Sequence, residues 1–123
     1  MLFRSREGIA DGDQRRDFIY VDDVVRVMMW LLATPSVSGL FNVGTGKARS
    51  FKDLMLAAYA ALGSQPNIEY IDMPENIRGA YQYFTQSEVD RLQRAGYNGG
   101  FTALEDAVET YVKGFLDRAD RFR

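Results

Sequence analysis

Between Val24 and Leu32 the chain reads VVRVMMWLL, and Arg26 is the only polar residue in it. No other stretch restricts the fold as much. A helix that is apolar on nearly every side has to be buried on nearly every side. The run is too short to span a bilayer. Just before it, Phe18 to Val21 is aromatic and β-branched and predicts a short strand. Asp22 or Asp23 then suits the start of the helix as a cap, where negative charge is also favoured. Arg15, Arg16 and Asp17 lead into this strand–helix corner. They read either as an anion-binding lip or as solvated charges at the edge of a core helix.

The residue inventory excludes several chemistries. There is no histidine, which removes the commonest general base and the commonest metal ligand. There is no cysteine, so neither a disulfide framework nor a thiolate metal site can form. A net charge of -2 leaves no footprint for nucleic acid. The basic residues are mostly arginine, the side chain suited to planar, bidentate recognition of phosphate or carboxylate. Met1-Leu2-Phe3-Arg4 carries no signal-peptide core. A soluble, cytoplasmic protein is the expectation, and 123 residues make one domain or part of one.

Residues 1–14 are polar, with Gly8 and Asp11-Gly12-Asp13 marking turns, and Arg4, Arg6, Arg15 and Arg16 gather around them. This is either a mobile terminus or a cationic loop. After the apolar helix, Leu40 to Val43 predicts a strand that runs into Gly44-Thr45-Gly46. The glycines do not complete a dinucleotide fingerprint, because the third would fall at Arg49. A phosphate loop fails as well, since Ala48 follows Lys47. A tight turn is expected there. Ser50-x-x-Asp53 predicts a capping box opening a helix from Phe51 to Leu62, with Gly63 as its stop. Ile68 to Ile71 predicts another short strand, ended by Pro74. Arg78, Tyr81 and Tyr83 on a Gly-containing loop suit a ligand wall, whereas Phe84 suits the core. Thr85-x-x-Glu88 and Thr102-x-x-Glu105 predict two further capping boxes. From Leu104 to Leu116 apolar residues recur at helical spacing, the clearest amphipathic helix in the chain.

No tyrosine has a lysine four residues on, and no catalytic constellation emerges. With the all-round apolar helix and the missing cofactor fingerprint, this makes a piece of a longer protein the expectation. A resemblance then becomes legible. Arg16-Asp17-Phe18-Ile19-Tyr20-Val21-Asp22-Asp23-Val24, Gly39 to Gly46 and Ser50-Phe51 resemble the carboxy-terminal part of the extended short-chain dehydrogenase/reductases, the nucleotide-sugar epimerases and dehydratases. Ile68 to Ile71, Gly79 to Gln86 and Ala95-Gly96-Tyr97 narrow the resemblance to the ADP-glyceromanno-heptose 6-epimerase family.

The resemblance implies an α/β substrate-binding portion, short strands with packed helices, without the main Rossmann domain. Residues 1–123 would form that single fragment. The family's NADP-binding loop and its catalytic tyrosine and lysine would lie before Met1. No catalytic, cofactor-binding or metal residue is therefore expected here, and no cofactor on the fragment alone. By motif position, Phe3, Arg4, Ser5, Arg6, Arg16 and Tyr81 would contact the ADP-sugar. The partners implied are that substrate and further copies of the chain in a homo-oligomer, with no nucleic acid or membrane. Two alternatives remain open: the substrate domain of another nucleotide-sugar epimerase or dehydratase, or a stand-alone, non-catalytic binding or interaction module.

Overall fold

A computed structural model describes residues 1–118. In chain order the elements are β1 (Leu2–Phe3), β2 (Arg15–Arg16), α1 (Val21–Ala33), β3 (Arg49–Ser50), α2 (Phe51–Ala61), β4 (Tyr70–Ile71), α3 (Glu75–Arg78), α4 (Asp90–Arg94) and α5 (Leu104–Tyr111). A π-helical turn, Val112–Leu116, continues α5. Two two-stranded sheets form: β1 pairs with β4 in parallel, and β2 with β3 antiparallel. The α/β expectation, short strands with packed helices, is met.

Asp23 organises the first helix. It does not cap α1; Tyr20 takes the cap position with no side-chain bond, and Asp22 and Asp23 lie inside the first turn. Asp23 is fully buried and accepts from Thr102 N at 2.7 Å, from Thr102 Oγ1 at 2.8 Å and from Arg26. A buried carboxylate is tolerated because its lone pairs are taken up this way. The same bonds commit Thr102, so the predicted capping box there does not form, and Ala103 heads α5. Thr85 is likewise committed, its N–H to Arg15 O and its hydroxyl to Gln82 Oε1. The next helix starts only at Asp90, behind Val89. The Ser50–Asp53 capping box does form, in both directions, and α2 closes where Gly63 adopts a φ of 64°.

Only one side of α1 meets the core. Val27 is fully buried with Leu92 and Tyr97, and Trp30, Leu31, Phe41, Val43 and Phe101 pack around them. Val21, Val25, Met28, Met29 and Leu32 form an exposed stripe at positions i, i+4, i+7, i+8 and i+11. The expectation of burial on nearly every side is corrected for the described residues: the outward half of this helix is apolar and uncovered. Beside it, an open apolar groove of about 660 Å³ runs between residues 18–21, α2 and α5. Helices α2 and α5 pack together, and Arg49 Nη2 ties their ends by a 2.6 Å pair with Glu105.

Two predicted strands are absent. Phe18 to Tyr20 is irregular, because strand pairing falls two residues earlier, at Arg15–Arg16 against Arg49–Ser50. Leu40 to Val43 is irregular too: Phe41 and Val43 pack into the core from a loop with no partner strand. The strand expected at Ile68 to Ile71 is reduced to Tyr70–Ile71. Phe84 is 61% exposed and does not join the core. No described helix is long and apolar enough to cross a membrane.

Candidate functional site

Three stretches far apart in sequence converge on one face. The β1–β4 register sets Leu2 opposite Tyr70 and Phe3 opposite Ile71, and Arg4 N donates to Ile71 O at 2.7 Å. Residues 83–85 lie alongside β2, through Arg15 N to Tyr83 O at 2.9 Å and Thr85 N to Arg15 O at 3.1 Å. The loop after β1 is stitched back on itself. Ser5 N donates to Asp11 Oδ1 at 2.7 Å, and the buried Gln14 side chain donates to the carbonyls of Phe3 and Arg4. Of the two readings of residues 1–14, the structure takes the cationic loop, pinned by Asp11 and Gln14.

On this scaffold all six predicted site residues come together. Phe3 meets Tyr81 edge to face, centroids 6.3 Å apart, and Tyr81 meets Tyr83 the same way at 5.4 Å. A guanidinium closes each end of the tyrosine pair: Arg16 lies 5.3 Å from the Tyr81 centroid and Arg6 lies 4.4 Å from that of Tyr83. Such contacts hold an arginine without neutralising it. Arg16 also donates to the carbonyls of Arg15 and Gln82. Among the described residues neither Arg6 nor Arg16 has a carboxylate within 4 Å. Arg4 differs, with Asp11 at 3.3 Å and Asp72 at 3.5 Å. Ser5 Oγ is buried without a hydrogen-bond partner.

Sequence reasoning missed Phe51, Gln14, Asp11 and Asp72 as neighbours of this face. Phe51 and Gln14 line an apolar hollow of about 310 Å³ with Phe3, Ile71 and Tyr81. The polar character of Gln14 gives no hint that it is buried. Asp11 stood out only as a turn residue.

Next to Arg16, the Asp17 carboxylate has a different task. Its Oδ1 accepts from Thr45 N at 2.8 Å and from Thr45 Oγ1, and its Oδ2 from Gly46 N at 2.9 Å and Ser87 N at 3.0 Å. Burial pushes its pKa up, but the Thr45 hydroxyl and the three backbone N–H groups outweigh this and hold it below 3.8. Where a tight turn is expected, Gly44 and Gly46 are bends without a backbone turn hydrogen bond, and the segment holds an anion: the one on Asp17. Its amide donors are committed, so the segment does not fit a dinucleotide pyrophosphate.

Residues 4–44 match the NAD dependent epimerase/dehydratase family. Over 122 residues the chain is 56% identical to the ADP-L-glycero-D-manno-heptose-6-epimerase of Nitratidesulfovibrio vulgaris (strain DP4), covering 98% of this chain and 38% of that protein. The resemblance to the heptose epimerases is borne out. The protein of the same name from Fusobacterium nucleatum is 42% identical over 128 residues, covering 98% of this chain and 39% of its own length. The chain thus spans about two fifths of the length of these heptose epimerases. Among solved structures, the UDP-N-acetylglucosamine 4-epimerase from Methanobrevibacter ruminantium M1, in complex with UDP-N-acetylmuramic acid, superposes with a TM-score of 0.71. The identity is 24%, covering 88% of this chain and 33% of that one, and the likeness concerns the fold alone.

Proposed function

We propose that this chain forms the substrate-holding part of an ADP-L-glycero-D-manno-heptose 6-epimerase, a cytoplasmic, homo-oligomeric, NADP-dependent isomerase that supplies the heptose precursor of lipopolysaccharide. Its part is to bind and orient the ADP-sugar. Phe3 and Tyr81 offer aromatic faces for planar or sugar surfaces, and Arg4, Ser5, Arg6 and Arg16 offer donors for the diphosphate. The observation that carries this reading is the Arg16 guanidinium, held against Tyr81 and two carbonyls with no carboxylate beside it. An arginine positioned but not neutralised is suited to an anion brought by a ligand.

The test uses the full-length protein with ADP-heptose against UDP- and GDP-sugars, and the variants Arg16→Ala and Arg16→Lys. A charge-assisted hydrogen bond contributes about 1.5–3 kcal/mol, so Arg16→Ala should weaken apparent substrate affinity roughly 10- to 100-fold. Arg16→Lys should recover only part of this, because lysine loses the fork. NADP binding should not change. An unaltered KM and kcat/KM with a lowered melting temperature would leave Arg16 as scaffolding and refute the reading.

A further inference from the structure

The polar side chains buried among the described residues are Ser50, Asp23 and Gln14. Ser50 serves the capping box of α2, and Asp23 is taken up by Thr102 and Arg26. Those two hold the fold. Gln14 spends its amide on the face that carries the candidate site. It is 1% exposed, and its Nε2 donates to Phe3 O at 3.2 Å and to Arg4 O at 3.3 Å. Burying a primary amide is costly unless its donors find acceptors. Here the acceptors are the main chains of two candidate site residues. The Phe3 carbonyl has no other partner to turn to. Leu2 N donates to Glu69 O and Arg4 N to Ile71 O, so Phe3, between them, turns its main chain away from β4. Among the described residues no strand lies on that second edge of β1, and the Gln14 amide stands in for one.

The main chain of Gln14 is fixed independently of its side chain. Its carbonyl accepts from Phe51 N at 3.1 Å, and Gly12 O accepts from Lys52 N at 3.0 Å. Arg15 and Arg16, which follow it, are β2 and pair with β3. One residue thus joins the strand that carries Arg16 to the strand and loop that carry Phe3 to Arg6.

We propose that Gln14 is a positioning residue for ligand capture: through the Phe3 and Arg4 carbonyls it sets the spacing between the first-loop contacts and the Arg16 guanidinium. It acts through these main chains and not by touching the ligand. The inference rests on the reading of this face as a nucleotide-sugar holder and adds what keeps its two halves in register. A ligand contacted from both halves is held well only while they keep that register, because small misplacements of binding groups are costly.

The test is steady-state kinetics of the full-length protein with ADP-heptose, beside thermal melts. Gln14→Met keeps the length of the side chain and removes both donors. Its KM should rise about tenfold while kcat stays within about twofold of the parent's. On an Arg16→Ala background the same substitution should raise KM less than it does alone, because no second anchor is left to be in register with. If Gln14→Met does not fold, Gln14→Glu decides. It keeps the shape but offers acceptors to two carbonyls, and protonation returns one O–H donor. Its KM, relative to the parent's at the same pH, should be raised at about pH 8 and approach the parent's toward about pH 5. An unchanged KM with a lowered melting temperature, equal losses on both backgrounds, or a Gln14→Glu ratio that does not move with pH each overturns the inference. The two readings fail distinguishably. A parent that turns over ADP-heptose beside a Gln14→Met variant of equal KM removes the role of Gln14 alone. A parent that binds no nucleotide sugar removes the reading of the face and the role of Gln14 with it.

Discussion

Replacing Asp17 by asparagine changes one atom and tests how this face is held in place. The carboxylate accepts four hydrogen bonds, two on each oxygen, from Thr45, Gly46 and Ser87. Asparagine can keep the pair on one oxygen. Its NH2 must then face donors at the other, leaving two of them without an acceptor. Hydrogen bonds to a charged group contribute about 1.5–3 kcal/mol each, and the site is partly open to water, so a loss of about 2–4 kcal/mol is expected. In a domain of this size that is a fall of roughly 10 °C in melting temperature. The pH dependence makes the test sharper. The folded pKa of Asp17 lies below 3.8, so its carboxylate stabilises the fold fully above that value. The contribution is lost as pH falls through the folded pKa. The gap between parent and Asp17→Asn in thermal melts should therefore be full at pH 6–7 and close steadily below about pH 4. Coincident melts at neutral pH, or a gap that stays constant down to pH 2, would refute this account of Asp17.

Two further perturbations follow from the geometry. A Cβ on Gly44 would fall on the Ser87 side chain and 2.7 Å from Asp17 Oδ2, so Gly44→Ala should cost about 1–3 kcal/mol by calorimetry; a melt equal to the parent's would show that the segment yields. The outward stripe on α1 should drive the 123-residue chain to associate, and Met28→Glu with Leu32→Glu should shift it toward monomer in sedimentation without lowering its melting temperature.

What could be read from the sequence was local. Ser50 and Asp53 satisfy each other within one turn, and nothing distant competes for them. Thr85 and Thr102 carry the same signature, but a distant carbonyl and a buried carboxylate claim their polar groups first. The strands failed for a related reason. Phe18 to Val21 and Leu40 to Val43 have strand-like side chains, yet a strand exists only where a partner backbone lies alongside, and that pairing went to Arg15–Arg16. The apolar content of α1 was plain; that half of it faces outward depends on what surrounds the helix. The six candidate site residues were picked out by motif position, and their convergence through Tyr83 was not visible in any one stretch. Arg78 and Tyr83 stood out as a ligand wall, but the orphaned Ser5 hydroxyl that links them to the first loop needs coordinates to be seen.

The parallel pairing of β1 with β4 has a consequence for the order of folding. Leu2 and Phe3 meet Tyr70 and Ile71 across more than half of the chain's length, for a ladder only two residues long. So short a pairing cannot hold itself against the entropy of closing so large a loop. It is expected to form only after α2 and the residues around Asp17 have brought its ends near each other. The face that carries the arginines is accordingly expected to assemble late and to open early, and a ligand that bridged it would act as a late clasp between the two ends of that loop.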